Sequence, residues 1–252
     1  MRKKGKLYGI GLGPGNPNLL TLKAVQVLQE IPVIFVPRSN FRDTGLAHSI
    51  IATFLRPEQE IRELFFPMTD NQAKLKKAWQ EAVLAVAGVL DEGLNAAFVT
   101  IGDSTLYSTY SYLLEELKET RPELEIETIP GISSFSAAAS MMNRALVVGE
   151  ESLAIVPATK NKDFLYQVLS AFDSVILLKV ASVLSKILDI LDELDRLEDS
   201  AFVCRCGFPD QFWKENLSKK EDLPKDYLSL IMVRLPVKRG AKTGEKNLIK
   251  GD

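Results

Sequence analysis

The sequence predicts an α/β fold: two domains, each a mainly β sheet flanked by helices, with the strands largely parallel. Three observations lead there. Apolar strand-like runs and helix-period runs alternate from the beginning of the chain, the pattern that builds parallel sheets. A strand-turn-helix design recurs three times within the first 136 residues, at GLGPGNPNLL, GDSTLYSTY and PGISSF. The composition then changes character at ALVVGEESLAIVPA. A chain of 252 residues suits one large domain or two smaller ones. The boundaries read as a first domain over 1–146, a second over 152–237, and a polar tail over 238–252.

The elements follow in order. KLYGI, with Tyr8 and Ile10, reads as a first strand, and Leu19, Leu22, Val25 and Leu28 recur at helical spacing after it. Asn16 followed by Pro17 suits an N-cap and a first helical turn. PVIFVP (32–37) is a second strand, SIIATFL a short helix and EIRELFFPM (60–68) an extended segment. Residues 72–93 give the clearest helix, with Leu75, Trp79, Val83, Val86 and Leu90 on one stripe and Gly93 as its stop. This places Trp79 in the core. AAFVTI is a buried strand, Tyr107 to Leu117 a helix, 124–129 another strand, and Ser133 and Ser134 open an Ala-rich helix.

The second domain should contain strands at LAIVPA, SVILLKV (174–180), SAFVCRCG (200–207) and DYLSLIMVRL (226–235). Its helices are expected at 162–171 and along SVLSKILDILDELDRLED, with Leu184, Ile187, Leu191 and Leu194 inward.

Charge narrows the function. Lys plus Arg is 31 against 33 for Asp plus Glu, a net charge of −2, which is no general electrostatic footprint for nucleic acid. The basic start MRKKGK runs into glycines rather than an apolar signal core, and no apolar run approaches membrane-spanning length. A cytoplasmic protein is expected, with no membrane partner. Cys204 and Cys206 read as ordinary small residues of an expected strand. With His48 the sole histidine, a zinc site is not expected. His48 itself reads as a satisfied histidine rather than a catalytic one.

The first loop discriminates among ligands. G-x-G-x-x-G fails in every register, and no Lys-Ser or Lys-Thr follows the glycines. Pro14 and Pro17 lack N–H donors, so the turn is a poor phosphate cradle. Asp103 falls at the carboxyl end of a strand, where open α/β sheets place ligands, although an Asp there is also an ordinary N-cap. Three such bends can line one pocket.

These segments resemble the tetrapyrrole methylase family. The likeness rests on GLGPGNPNLLTLKA, GDSTLYSTY, PGISSF, VILLKV, CGFPDQ and YLSLIMVR, and spans roughly residues 5–235. It implies S-adenosyl-L-methionine folded in an active-site cleft between two domains and held largely by backbone groups. By motif position it assigns cofactor binding to Pro14, Gly102, Asp103, Leu106, Ser133, Ser134, Lys179 and Cys206. Ser104 departs from the family's usual proline in GDP. The commoner Rossmann-like methyltransferases fit less well, because no acidic residue precedes the glycine loop or ends the second strand.

The resemblance further implies methyl transfer to a meso carbon of an anionic tetrapyrrole, the C-20 position of precorrin-2 or cobalt-factor II in corrin biosynthesis, by an enzyme that works as a homodimer. Such a polycarboxylate needs local positive charge; Arg38, Arg42, Arg205 and Lys179 stand at or near expected strand ends. Sequence offers no protein nucleophile. Tyr107 is a weak candidate to assist loss of the meso proton, with packing as its alternative role. Another ring position, diphthamide synthesis, ribosomal RNA, or a non-catalytic tetrapyrrole carrier remain open as readings of the residues alone.

Overall fold

The computed structural model describes residues 3–39, 45–69, 71–158, 161–219 and 222–235. Arg42 and the polar tail over 238–252 lie outside them. The chain divides into two compact units, one of Met1–Ala145 with Val203–Phe212, the other of Leu146–Phe202 with Trp213–Asp252.

The first unit holds strands β1 (Lys6–Gly11), β2 (Val33–Arg38), β3 (Glu60–Phe65), β4 (Ala96–Thr100) and β5 (Glu125–Ile129) in the order β3-β2-β4-β1-β5. The pairings of β1 with β4 and β5, and of β2 with β3 and β4, are all parallel. Helices α1 (Leu22–Glu30), α2 (Leu46–Ile51), α3 (Gln72–Asp91) and α4 (Thr109–Thr120) connect them, and α5 (Ser134–Met141) follows β5.

Alternation along each strand supplies both faces of this sheet. Leu7, Val33, Phe35, Ala96 and Phe98 are buried on one face against Val86 and Leu90 of α3 and Tyr110, Leu113 and Leu117 of α4. Ile10, Ile34, Val36, Ala97 and Val99, the alternate residues, are buried on the other. Each large side chain so covered contributes on the order of 1.5–3 kcal/mol. The connection after β1 therefore leaves toward α1 on one face, and the connection after β4 toward α4 on the opposite face. Adjacent strands with diverging connections open a crevice at their carboxyl ends, the usual ligand position in such sheets.

Several local expectations shift. Asn16 caps a single 3-10 turn (Pro17–Leu19), and α1 starts afresh at Leu22 behind Thr21, whose side chain accepts from the Ala24 N–H. Leu22 is exposed, while Ala24 and Leu28 carry the burial. In α3 the stripe is buried at Val83, Val86 and Leu90, and Trp79 is only half-buried, sandwiched between Phe66 (4.4 Å) and Tyr112 (5.3 Å). Helix α4 begins at Thr109 because Ser108 caps it; Tyr107 precedes it in a left-handed turn (φ 50°).

The second unit is built around a sheet in the order β6-β7-β10-β8-β9: β6 (Leu153–Pro157), β7 (Ser174–Leu178), β8 (Ser200–Cys204), β9 (Phe212–Glu215) and β10 (Ser229–Arg234). Strands β6 and β7 pair in parallel, β7 and β10 antiparallel, so this sheet is mixed. Helices α6 (Lys162–Ala171) and α7 (Leu184–Glu193) accompany it; α7 buries Leu184, Ile187, Ile190 and Leu191. Strand β9 has no counterpart in the sequence reading. Three of its four residues are exposed, and four are too few for a period. The strand expected over 200–207 is shorter than its apolar run suggests: β8 stops at Cys204, and Cys206 sits in the following turn.

Candidate active site where three loops meet

The loops after β1, β4 and β5 are joined by backbone at close quarters. Leu12 donates its N–H to the Thr100 carbonyl (2.8 Å), continuing the β1–β4 ladder. Gly13 and Gly102 then exchange both hydrogen bonds, Gly13 N–H to Gly102 O at 3.1 Å and Gly102 N–H to Gly13 O at 2.7 Å. Gly102 holds φ 78°, a conformation costly for any side chain. Gly11 and Gly131 touch through their bare α-carbons: a Cβ on Gly11 would lie 2.5 Å from the Gly131 nitrogen, and one on Gly131 would lie 2.3 Å from the Gly102 oxygen. The glycines are therefore required by contact among the loops.

Side chains complete the joint. Asp103 accepts from the Thr105 N–H (2.8 Å) and Thr105 hydroxyl (2.5 Å) at Oδ1, and from the Gly131 N–H (3.0 Å) at Oδ2. Ser104, fully buried, donates from Oγ to the Ile129 carbonyl at 3.0 Å. Its own carbonyl accepts from the hydroxyls of Ser108 and Ser111, tying the turn to the start of α4. Two adjacent residues of the β4 loop thus fasten the β5 loop. Where the family resemblance implies proline, serine adds a cross-loop bond that proline has no hydroxyl to make.

Against this joint lies a cavity of about 340 Å³ lined by Asp103, Leu106, Gly131, Ile132, Ser133, Phe135 and Ser136. The size is within the range of small-molecule sites. Its wall is backbone, hydroxyl and apolar carbon, with Asp103 the one ionisable residue among the described residues that line it. Ser133 stands at the N-cap of α5 without capping through its side chain; its hydroxyl lies 2.9 Å from that of Ser136 instead. That leaves first-turn N–H groups of α5 as donors beside the cavity. No cation stands among the described residues of this wall, so it does not suit a pyrophosphate. On the side where Gly102 would carry a Cβ there is open space.

Of the residues singled out from sequence, the structure brings Asp103, Leu106 and Ser133 to the cavity wall and Gly102 to the joint behind it. Ser134 opens α5 next to Ser133, outside the lining. Pro14 is buried one residue beyond the Gly13–Gly102 bridge, and its ring faces Gly207, on which a Cβ would lie 3.3 Å from Pro14 Cγ. Cys206 is buried in the same 205–211 loop, and burial pushes its thiol up. Lys179, exposed and left-handed (φ 58°), follows β7 in the second unit.

Two of the basic candidates are engaged. Arg38, at the end of β2, forms an ion pair with Glu63 of β3. Arg205 pairs with Asp210 and stacks on Phe208, all within one loop. Arg42 falls outside the described residues. Tyr107 is 47% exposed and absent from the cavity lining. Sequence reading missed Ile132, Phe135 and Ser136. Ser136 was open to discovery: it follows Ser133 by three residues, about one helical turn.

The fold and this joint of glycine-bearing loops define a class, and comparison with known proteins identifies it. The family model for Tetrapyrrole (Corrin/Porphyrin) Methylases matches residues 6–220, and the chain belongs to that family. Among its relatives, the probable cobalt-precorrin-2 C(20)-methyltransferase of Methanocaldococcus jannaschii is 38% identical over 91% of this chain and 96% of its own length. The cobalt-precorrin-2 C(20)-methyltransferase of Salmonella typhimurium is 31% identical over 91% and 96%, and the precorrin-2 C(20)-methyltransferase of a Sinorhizobium species 30% identical over 91% and 95%. In structure, the chain is similar to a cobalt precorrin-4 methyltransferase (TM-score 0.67, 20% identity, 91% and 94% covered). It is also similar to the uroporphyrin-III C-methyl transferase of Thermus thermophilus complexed with S-adenosyl homocysteine (TM-score 0.61, 21% identity, 91% and 97% covered).

Proposed function

We propose that this chain is an S-adenosyl-L-methionine-dependent methyltransferase that modifies the C-20 meso carbon of precorrin-2 or its cobalt complex in cobalamin biosynthesis. The observation that carries the reading is the 30–38% identity to relatives bearing that name, over more than nine-tenths of this chain and of theirs. The cavity supports it independently, since its wall of hydroxyls, backbone and apolar carbon suits the nucleoside of the methyl donor.

When bound, S-adenosyl-L-methionine supplies an electrophilic methyl on a good leaving group. The residues of this chain then have an alignment task rather than a covalent one. Orientation and exclusion of water can together supply up to roughly 7–11 kcal/mol of the barrier. Ser133, Ser136 and the first-turn N–H groups of α5 would donate to the polar groups of the donor. Leu106, Ile132 and Phe135 would cover its apolar surface and keep water out. Pro14, Gly102, Ser134, Lys179 and Cys206 are assigned to the same donor by motif position, Arg38 and Arg42 to the carboxylates of the macrocycle. We take the enzyme to work in the cytoplasm as a homodimer.

The test is incubation with methyl-labelled donor and each macrocycle, with and without cobalt, followed by location of the new methyl. Label at C-20 is the expected result, and the faster macrocycle fixes the metal state of the substrate. Label at another carbon, or none while S-adenosylhomocysteine still binds, would overturn the C-20 assignment.

A further inference from the structure

Residues 205–211 form a loop with more internal bonding than a connection needs. Phe208 N–H donates to the Arg205 carbonyl (3.0 Å), Gln211 N–H to the Phe208 carbonyl (3.1 Å), and Gly207 N–H to the Gln211 side-chain oxygen (3.0 Å). Arg205 adopts a left-handed backbone (φ 50°), which strains a residue with a side chain. Its guanidinium lies 5.0 Å from the Phe208 ring centre, while its Nε is 2.7 Å from Asp210 Oδ2. The ring is gripped from that side and is 7% exposed.

The ring also rests on the first loop. A Cβ on Gly15 would lie 2.5 Å from the Phe208 ring, and one on Gly207 would lie 3.0 Å from the Asn16 nitrogen. From Gly15 the contact runs two residues back to the Gly13–Gly102 double hydrogen bond, and from Gly102 directly to Asp103 on the cavity wall. Arg205, Phe208 and Asp210 therefore stand at the outer end of a continuous stack that finishes at the cavity.

We propose that Phe208, gripped by Arg205, which in turn pairs with Asp210, is a positioning residue that holds the glycine-proline loop in the geometry the methyl-donor site requires. Arg205 serves this clasp rather than the macrocycle. The inference rests on the reading of the cavity as the donor site, and the strained backbone of Arg205 is the cost of aiming its guanidinium back over its own loop. Lysine would keep the charge there but lose the planar face that stacks on a ring.

Amide hydrogen exchange reads the clasp without any ligand. In Phe208→Ala and Arg205→Lys, exchange at residues 12–19 should rise at least tenfold while the buried amides of β1 and β4 keep wild-type protection. By calorimetry, S-adenosylhomocysteine should bind about tenfold more weakly to both variants, with KM for the tetrapyrrole within twofold of wild type. Asp210→Asn, which weakens the ion pair to Arg205 at an exposed side chain, gives the same readouts in a smaller measure should Phe208→Ala fail to fold. Unchanged exchange at 12–19 overturns the clasp, as does an Arg205→Lys effect confined to the KM for the tetrapyrrole. Wild-type protein that binds no S-adenosylhomocysteine would instead sink the methyltransferase reading, and the exchange data would still decide the clasp.

Discussion

The phenol oxygen of Tyr110 lies 2.8 Å from the hydroxyl oxygen of Thr128, in a bond that runs from α4 to β5 directly beneath Gly9 of β1. Gly9 and Thr128 are register partners in neighbouring strands, so the tyrosine crosses under one to reach the other. A Cβ on Gly9 would sit 1.9 Å from the ring, and burial pushes the phenol pKa up against the opposing bond to Thr128. Gly9→Ala should destabilise by about 1–3 kcal/mol, the ordinary range for forcing a methyl into a filled core. Tyr110→Phe keeps the ring and should cost only about 0.5–1.5 kcal/mol. Urea unfolding of both variants checks the order; Gly9→Ala as mild as Tyr110→Phe would mean that the helix shifts freely under β1.

The amino-terminal end of the same sheet should make stability fall in acid. Lys4, Asp91, Arg121 and Glu123 form one ion-pair group, and Lys6, Lys23, Glu125 and Glu127 another. Hydrogen bonds from Lys4 and then Arg121 lower the Glu123 carboxyl to about 2, and those from Lys23 and then Lys6 lower Glu127 to about 2. Both folded values lie below the ordinary 4.5, so this stabilisation is complete above that pH. It is lost as pH falls from there toward 2. The pairs are solvent-accessible, so about 1 M salt should shrink the effect. Urea midpoints followed from neutral pH down into this acid range test it. Glu123→Gln with Glu127→Gln should flatten the curve, and an unflattened curve assigns the acid sensitivity elsewhere.

Tyr107 is exposed, left-handed and off the cavity wall. Tyr107→Phe should therefore keep kcat within twofold of wild type at saturating substrates. A tenfold loss, about 1.4 kcal/mol of barrier, would restore the phenol as a participant in proton removal.

Arg38 offers a different test, because Glu63 competes for its guanidinium. Surface pairs of this kind are worth about 0.2–1 kcal/mol. If Arg38 receives a macrocycle carboxylate, Glu63→Gln should lower KM for the tetrapyrrole by up to about fivefold. Arg38→Glu should raise that KM far more than the KM for S-adenosyl-L-methionine. Equal effects on the two substrates would assign Arg38 to structure alone.

The parts of this molecule that were legible in the sequence are those written in a local period. Strands β1, β2, β4 and β5, the long helix α3, and the three strand-turn-helix bends declare themselves through spacing and through glycine, proline and hydroxyl residues. Leu22 misled because an exposed leucine fits the same period as a buried one. The joint between the bends was not legible: Gly11 meets Gly131 across four intervening strands and four helices, and no pattern near either marks the encounter. The same holds for Phe208 on Gly15. Arg205 looked like a strand-end cation, and its pairing with Asp210 depends on a left-handed backbone that its neighbours impose.

The last expectation concerns the two residues that lock the β5 loop. Asp103 reaches the Gly131 N–H and Ser104 the Ile129 carbonyl, so adjacent side chains hold two points of one short segment. Asp103→Asn turns a carboxylate acceptor into an amide and should cost about 1.5–3 kcal/mol if the charged bond to Gly131 is lost. Ser104→Ala leaves the Ile129 carbonyl without that buried donor and should cost about 1–3 kcal/mol. Because either bond alone still restrains the loop, the first removal loosens what the second would have held. The two costs should then fail to add, with a coupling of at least about 0.5 kcal/mol in a double-mutant cycle read by urea unfolding. The cycle repeated on S-adenosylhomocysteine affinity should show coupling of the same sign, since the held segment supplies Gly131, Ile132 and Ser133 to the cavity. Strict additivity in both cycles would mean that the two bonds act separately and that the cavity wall stands without their cooperation.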